Sequence, residues 1–445
     1  MEKKRIVSIA KNILISILFV LSIFQVNRLW LGSDGFIELI GGMFSNRSIE
    51  GTDNDALIKL TTPFRIITAG NEGRYHIIYN NINASPQRTA ADNAITFVLK
   101  NGSSSSLPYD PLLEALIIYE YAVPIPANVF DQRFNHIISN RINAVDAIYF
   151  VVDYNEITII FADRTSGRML EYWLNDKNIY ESIIAAAVTT DVVFYYERAY
   201  GTFIPRWFGS WYLFNMVAID LNFPAPTLGT VERAILPFFD RPSAVIARIA
   251  DDLFLDSDVR HYVFSGDSSE RVIVRYFYMP RVLEYSNYSF IPSETLHSFI
   301  QSFALALNVI NRDHTLQNEI FLSHYTTHDA GFTFYFNAAI NNFPVAISSE
   351  LARISGMENF IEVTVTQNHI RYRRYAAVFR VDEAESSADT GFDEFMQRHM
   401  MFTGGQVVNE NNNHNLWFGY MATNESYMIL HWSTDLFDQV AVAVE

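Results

Sequence analysis

The sequence predicts an α+β protein: an N-terminal transmembrane helix, then an extracytoplasmic region of two to three domains built from antiparallel sheets with packed helices. Three observations predict it. A single apolar run lies near the N-terminus, behind a cluster of basic residues. Short apolar runs separated by Asn-, Asp- and Gly-containing turns recur downstream, as antiparallel hairpins require. Between them stand a few stretches with apolar residues at helical spacing.

The apolar run reads Ile13-Leu-Ile-Ser-Ile-Leu-Phe-Val-Leu-Ser-Ile-Phe24 and continues through Gln25, Val26, Asn27 and Arg28 to Leu31. A helix over 13–31 is roughly 28 Å long, about the thickness of the hydrocarbon layer. Lys3, Lys4, Arg5 and Lys11 precede it, which orients the N-terminus to the cytoplasm and the bulk outside. Trp30 suits the far interface, and Arg28 can snorkel to it. A cleavable signal peptide needs small residues after the apolar run. Gln25 to Trp30 is a poor cleavage site, so the segment reads as an uncleaved anchor. The organisation that follows is a cytoplasmic tail at 1–11, an anchor at 12–31 and a juxtamembrane spacer at 32–55. The tail is too short to hold a kinase or a DNA-binding domain.

The first 31 residues hold five of the 32 Lys and Arg and one of the 49 Asp and Glu, so the remainder is more acidic than the whole chain at −17. Such a surface argues against nucleic acid as a partner. Cysteine is absent, which excludes disulfides, thiolate metal sites and cysteine nucleophiles. A domain of this size buries enough core without disulfides.

An N-terminal extracytoplasmic domain is expected over 56–223. Phe64 to Gly70 and Tyr75 to Tyr79 read as strands, and Ala90 to Lys100 as a helix. Ala147 to Val152, Ile157 to Phe161 and Met169 to Leu174 form an antiparallel meander. Ile179 to Val188 reads as a short helix.

A middle α+β domain is expected over 224–317. Ser243 is a plausible N-cap for a helix over 244–255. Tyr262 to Phe264 and Val272 to Tyr278 read as a hairpin. Pro292-Ser293 opens a second helix whose stripe is Leu296, Phe299, Ile300, Phe303, Leu307 and Ile310.

A C-terminal, β-rich antiparallel domain is expected over 318–445. Phe332, Phe334 and Phe336 alternate with Thr333 and Tyr335, as do Ile361, Val363 and Val365 with polar residues. Gln367-Asn-His369 turns back into a strand over 370–379. Leu416 to Tyr420 and Tyr427 to Trp432 form a last aromatic pair.

Chemistry-bearing patterns are few. His324 and His328, with His314 upstream and Asp329 beside, resemble a metal set only on a helix. On a strand the two histidines are roughly 13 Å apart, too far for one ion. Asp382 to Glu385 lacks the spacing of a calcium loop. Trp417 and Trp432 suit sugar stacking or a strand core. No catalytic residue, metal ligand or cofactor site is assigned. Ser16, Ser22 and Gln25 are the polar side chains available for contacts between membrane helices.

Three stretches carry a family resemblance. They are 11–30, then Asp252 to Arg260 with the hairpin after it, then Phe332 to Val345 with the strands from Ile361 and Arg371. In these the chain resembles the YycH (WalH) family of Gram-positive regulators. Its turn over Gly266 to Glu270 is longer and more serine-rich than the family's. The resemblance implies a non-enzymatic regulator in the cell membrane. Its partners are then a sensor histidine kinase of the WalK type, which controls cell-wall metabolism, and a sister regulator of the YycI (WalI) type. The residues themselves leave open a surface protein that binds a small ligand or a cell-wall fragment.

Overall fold

The computed structural model describes residues 53–70, 74–79, 82–105, 115–187, 194–199, 202–207, 213–214, 216–220, 236–238, 247–248, 259–265, 271–277, 281–288, 297–316, 319–340, 343–375, 378–381, 386–387, 417–422 and 427–433. The anchor, most of the spacer, Ser243, the acidic residues Asp382 to Glu385 and the Asn-rich sequence over 409–415 lie outside them. Among the described residues, no helix is long and apolar enough to cross a membrane.

Two largely antiparallel sheets organise these residues. The first runs β3-β7-β6-β5-β4-β1-β2-β8-β9. Its strands are β1 (Arg65–Ala69), β2 (Arg74–Ile78), β3 (Ser103–Ser105), β4 (Ala115–Pro126), β5 (Ala144–Asp153), β6 (Glu156–Asp163), β7 (Arg168–Asn175), β8 (Phe194–Ala199) and β9 (Thr202–Trp207). The meander β5-β6-β7 is the one the turn residues predict. Its first turn places both Tyr154 (φ 40°) and Asn155 (φ 69°) in left-handed conformations. Such a turn matches the twist of the flanking strands, but only the asparagine is suited to it.

β4 has no alternation to betray it. Its run Ala-Leu-Ile-Ile-Tyr-Glu-Tyr is almost wholly buried, because this sheet packs apolar side chains on both faces. One face carries Ile66, Ile117, Tyr119, Ile148, Ile159 and Phe161. Against it lie helices α2 (Pro86–Asn101), α3 (Ala127–Phe134) and α4 (Lys177–Ala187), with α1 (Asp53–Leu60) beside α3. The opposite face carries Ile67, Ile118, Tyr149 and Ile160, in one cluster with Phe64 and Ala339.

Helix α2 starts earlier than its apolar spacing indicates. The Ser85 hydroxyl accepts the Arg88 N–H at 3.1 Å, and Pro86 takes the first helical position. A Ser-Pro pair therefore serves here as a cap rather than a turn. Helix α1 likewise begins at Asp53, inside the last residues of the stretch read as spacer.

The second sheet draws on β11 (Met216–Asp220), β12 (Ala247–Arg248), β13 (Val259–Ser265), β14 (Arg271–Phe277) and β15 (Val282–Asn287). Further along the chain it takes β16 (Glu319–His328), β17 (Gly331–Ile340), β18 (Phe343–Ile347), β19 (Ile361–Thr366), β20 (Ile370–Tyr375), β21 (Val378–Val381), β23 (Trp417–Ala422) and β24 (Tyr427–Ser433). β15 pairs with β20, so strands from before and after residue 317 share this sheet. The parallel pair β18–β23 is the exception to its antiparallel pattern. β22 (Ser386–Ser387) pairs separately with β10 (Leu213–Phe214).

Helix α5 (Phe299–Arg312) covers one face of this sheet, its Phe303 ring 5.2 Å from that of Phe334. Its cap is Ser298, which forms a capping box with Gln301. That corrects the expected start at Pro292-Ser293, since Ser298 is extended. The expected helix over 244–255 is also interrupted: Ala247 and Arg248 pair as a strand with Val263 and Tyr262. The expected strand over 370–379 divides, and its second part, β21, pairs with β11 instead. Helix α6 (Ser349–Ser355) joins β18 to β19 and ends on Gly356 at φ 62°. One continuous core links the helical face of the first sheet to α5 and the second.

Candidate functional site

Ser16, Ser22 and Gln25 lie outside the described residues. The histidine segment is described. His324 and His328 lie on strand β16, where each serves the β16–β17 hairpin. His324 stacks against Tyr335 with ring centroids 5.7 Å apart, and His328 Nε2 lies 3.4 Å from Thr333 Oγ1. His314 lies apart from them, on the wall of an open groove beside α5. Among the described residues, no three His, Asp or Glu side chains converge as a metal site.

The structure brings together a set that periodicity did not single out. Where β4 of the first sheet meets β16 of the second, a cavity of about 210 Å³ opens. Its walls include Phe64, Tyr79, Tyr121 and Phe321, with Lys59 and Glu319 among its polar lining. Phe64 is the pivot of the aromatic wall. Its ring centroid lies 5.1 Å from that of Tyr79 and 4.4 Å from that of Phe321. Tyr121 is fixed by donating to the Thr61 carbonyl at 3.0 Å, and Tyr79 accepts from Arg65 Nη1 at 2.9 Å. Thr62 donates to Asn83 at the rim.

Lys59 lies in the last turn of α1, where a cation suits the helix dipole. Its ammonium donates to the Ile320 carbonyl of β16 at 3.0 Å. Burial holds it below the usual lysine range; Glu319 opposes that shift and Arg88 adds to it. Lys59 and Ile320 also line the open groove of about 620 Å³ that contains His314 and Asp313. The ammonium is thus shared by cavity and groove.

Behind the cavity runs a buried ion network. Arg65 Nε meets Glu120 at 2.5 Å, and Arg164 meets Glu120 at 3.0 Å and Asp146 at 3.1 Å. Burial alone would raise the Glu120 carboxyl, but Arg65 and Arg164 outweigh it and hold the group at about 2. For Asp146 burial prevails over Arg164, and its carboxyl is raised. A second network joins Asp313, Tyr372 and Arg374 beneath α5. In the first network arginine's planar fork reaches two partners at once, as Arg164 does with Glu120 and Asp146.

The face of the second sheet away from α5 is polar. Arg275, Glu284, Arg373 and Glu362 stand opposite one another on four successive strands, alternating in charge. Arg371 adds a 2.7 Å contact to Glu284. Cross-strand pairs of opposite charge stabilise such a face.

No protein-family model matches the chain, and no curated protein matches it. Among solved structures, the crystal structure of YycH from Bacillus subtilis is similar to it. The alignment covers 83% of this chain and 92% of that one, at 11% identity and a TM-score of 0.44.

Proposed function

We propose that the chain is a membrane-anchored extracytoplasmic regulator. It modulates a sensor histidine kinase of the WalK type by protein–protein contacts through its transmembrane helix and its ectodomain. A sister regulator of the YycI type completes the assembly, and the output is control of cell-wall metabolism. The observation that carries this reading is one apolar segment, 13–31, behind four basic residues and ahead of a large acidic α+β region. A protein held by one such helix passes a signal inward by lateral contact with another membrane protein. In lipid that contact rests on close packing and on polar side chains between helices. Ser22 and Gln25 are three residues apart and share a helix face, with Ser16 roughly two turns away.

The test is the double variant Ser22→Leu and Gln25→Leu in the full chain. Kinase output, read from a reporter of its response regulator, should change as in a deletion strain while export remains normal. Unchanged output with normal export contradicts the proposal.

A further inference from the structure

We propose that the cavity between β4 and β16 binds a small organic carboxylate with a body of one apolar ring or a comparable branched chain. The inference stands independently of the regulatory reading. It starts from Lys59. An ammonium has three N–H donors, and among the described residues Lys59 makes one hydrogen bond, to the Ile320 carbonyl at 3.0 Å. A partly buried cation with donors to spare gains from an anion that brings its own charge into the same space. A carboxylate has the size for this task beside Ile320. A phosphate calls for several donors at once and carries more charge than the Glu319 carboxylate in the same lining tolerates; the wall supplies one cation, Lys59, among aromatic rings.

The body of the ligand follows from the other lining. Phe64, Tyr79, Tyr121 and Phe321 present ring surface, and Ile82 and Ile125 add aliphatic surface. The cavity's roughly 210 Å³ exceeds the about 150 Å³ of an apolar cavity that takes benzene. It falls below the range of about 300 Å³ and upward of sites for larger molecules. One ring with a carboxylate fits both limits. The neighbouring groove, which shares Lys59, gives a polar approach to the ammonium. A bound molecule touches α1 and β4 on one side and β16 on the other, so its binding energy favours the arrangement in which both sheets frame the cavity.

The test uses the full chain in zwitterionic lipid nanodiscs, titrated with 4-fluorobenzoate and followed by fluorine NMR, with empty discs as the blank. The neutral analogue 4-fluorobenzamide probes the charge requirement. Saturable binding of the benzoate is expected, at least tenfold tighter than the benzamide. Lys59→Met should weaken the benzoate at least tenfold, and Lys59→Arg should keep it within a few fold. Raising the pH through the lysine's titration should weaken the benzoate and leave the benzamide unchanged. Ala122→Phe, which fills the cavity, should abolish binding with the melting transition retained. Benzoate binding no greater than to empty discs overturns the proposal. So does equal affinity for the two probes, or equal benzoate affinity in native and Lys59→Met chains.

Discussion

Arg374 Nε lies 2.7 Å from Asp313 Oδ2, with the two side chains 1% and 0% exposed. Tyr372 donates to the same oxygen at 2.7 Å, and Thr315 donates to the other. Asp313 is the C-cap of α5, while Tyr372 and Arg374 belong to β20. The ion pair therefore fastens the end of the helix to the sheet that it covers. Removing one partner strands a buried charge, which costs about 3–5 kcal/mol; replacing both by apolar residues costs much less. In urea denaturation, Asp313→Leu should be destabilised by that amount. The double variant with Arg374→Leu should recover part of the loss. Additive losses would mean that the two residues act separately.

The Glu120 network sets an acid dependence. Its carboxyl titrates at about 2 in the fold, below its ordinary 4.5. A value lowered by folding contributes stability that is present above about pH 4.5 and lost as the pH falls towards 2. Glu120→Gln should cost about 3 kcal/mol at pH 7. The gap between native and variant chains should close across that window. Asp146, shifted upward, works with the opposite sign: its contribution is present at low pH and is lost as the pH rises through its titration. A gap for Glu120→Gln that stays constant from pH 6 to pH 2.5 contradicts the network's role.

Gly331 opens β17 directly against β19. A Cβ there would stand 2.1 Å from the Val365 carbonyl oxygen, closer than any real contact, and φ is 154°. The three nearest atoms are all β19 backbone, at Val365 and Thr366, which leaves no flexible neighbour to yield. Gly331→Ala should cost about 3 kcal/mol or more through strain and lost pairing. Its melting temperature checks this, and a loss under about 0.5 kcal/mol contradicts the packing.

Tyr154 makes a complementary case. It is 90% exposed at the tip of the β5–β6 hairpin, with φ 40°. No packing compensates a left-handed backbone at this residue, and asparagine tolerates that conformation better. Tyr154→Asn should stabilise the chain by about 0.5–1 kcal/mol, measured by denaturant midpoint. A loss of stability would show that the tyrosine ring has a partner that offsets its strain.

These residues also show what the sequence makes legible. The meander, the β19–β20 hairpin turned by Gln367 to His369 and the polar-out alternation of β19 are readable because one face is wet or a turn residue marks each reversal. β4 was not, because burial on both faces of the first sheet erases alternation. Ser298 was missed as the cap of α5 because Pro292-Ser293 offers the same signal six residues earlier. The cavity had no signature at all. Lys59 and Phe321 lie 262 residues apart in the chain, and only the meeting of two sheets makes them neighbours. The histidines at 324 and 328 show the reverse: their spacing is conspicuous, yet a strand separates them.

The central claim is that the segment 13–31 contacts a sensor kinase within the membrane. Photocrosslinking residues placed singly at positions 16, 20, 22 and 25 of the full chain, in living cells, test it most directly. A crosslinked product containing a sensor histidine kinase, identified by mass spectrometry, is expected from the face that bears Ser22 and Gln25 and weaker from Val20, which a helix places on the opposite face. Crosslinks to lipid alone from every position, or a product carrying the chain cleaved after the apolar run, would contradict it.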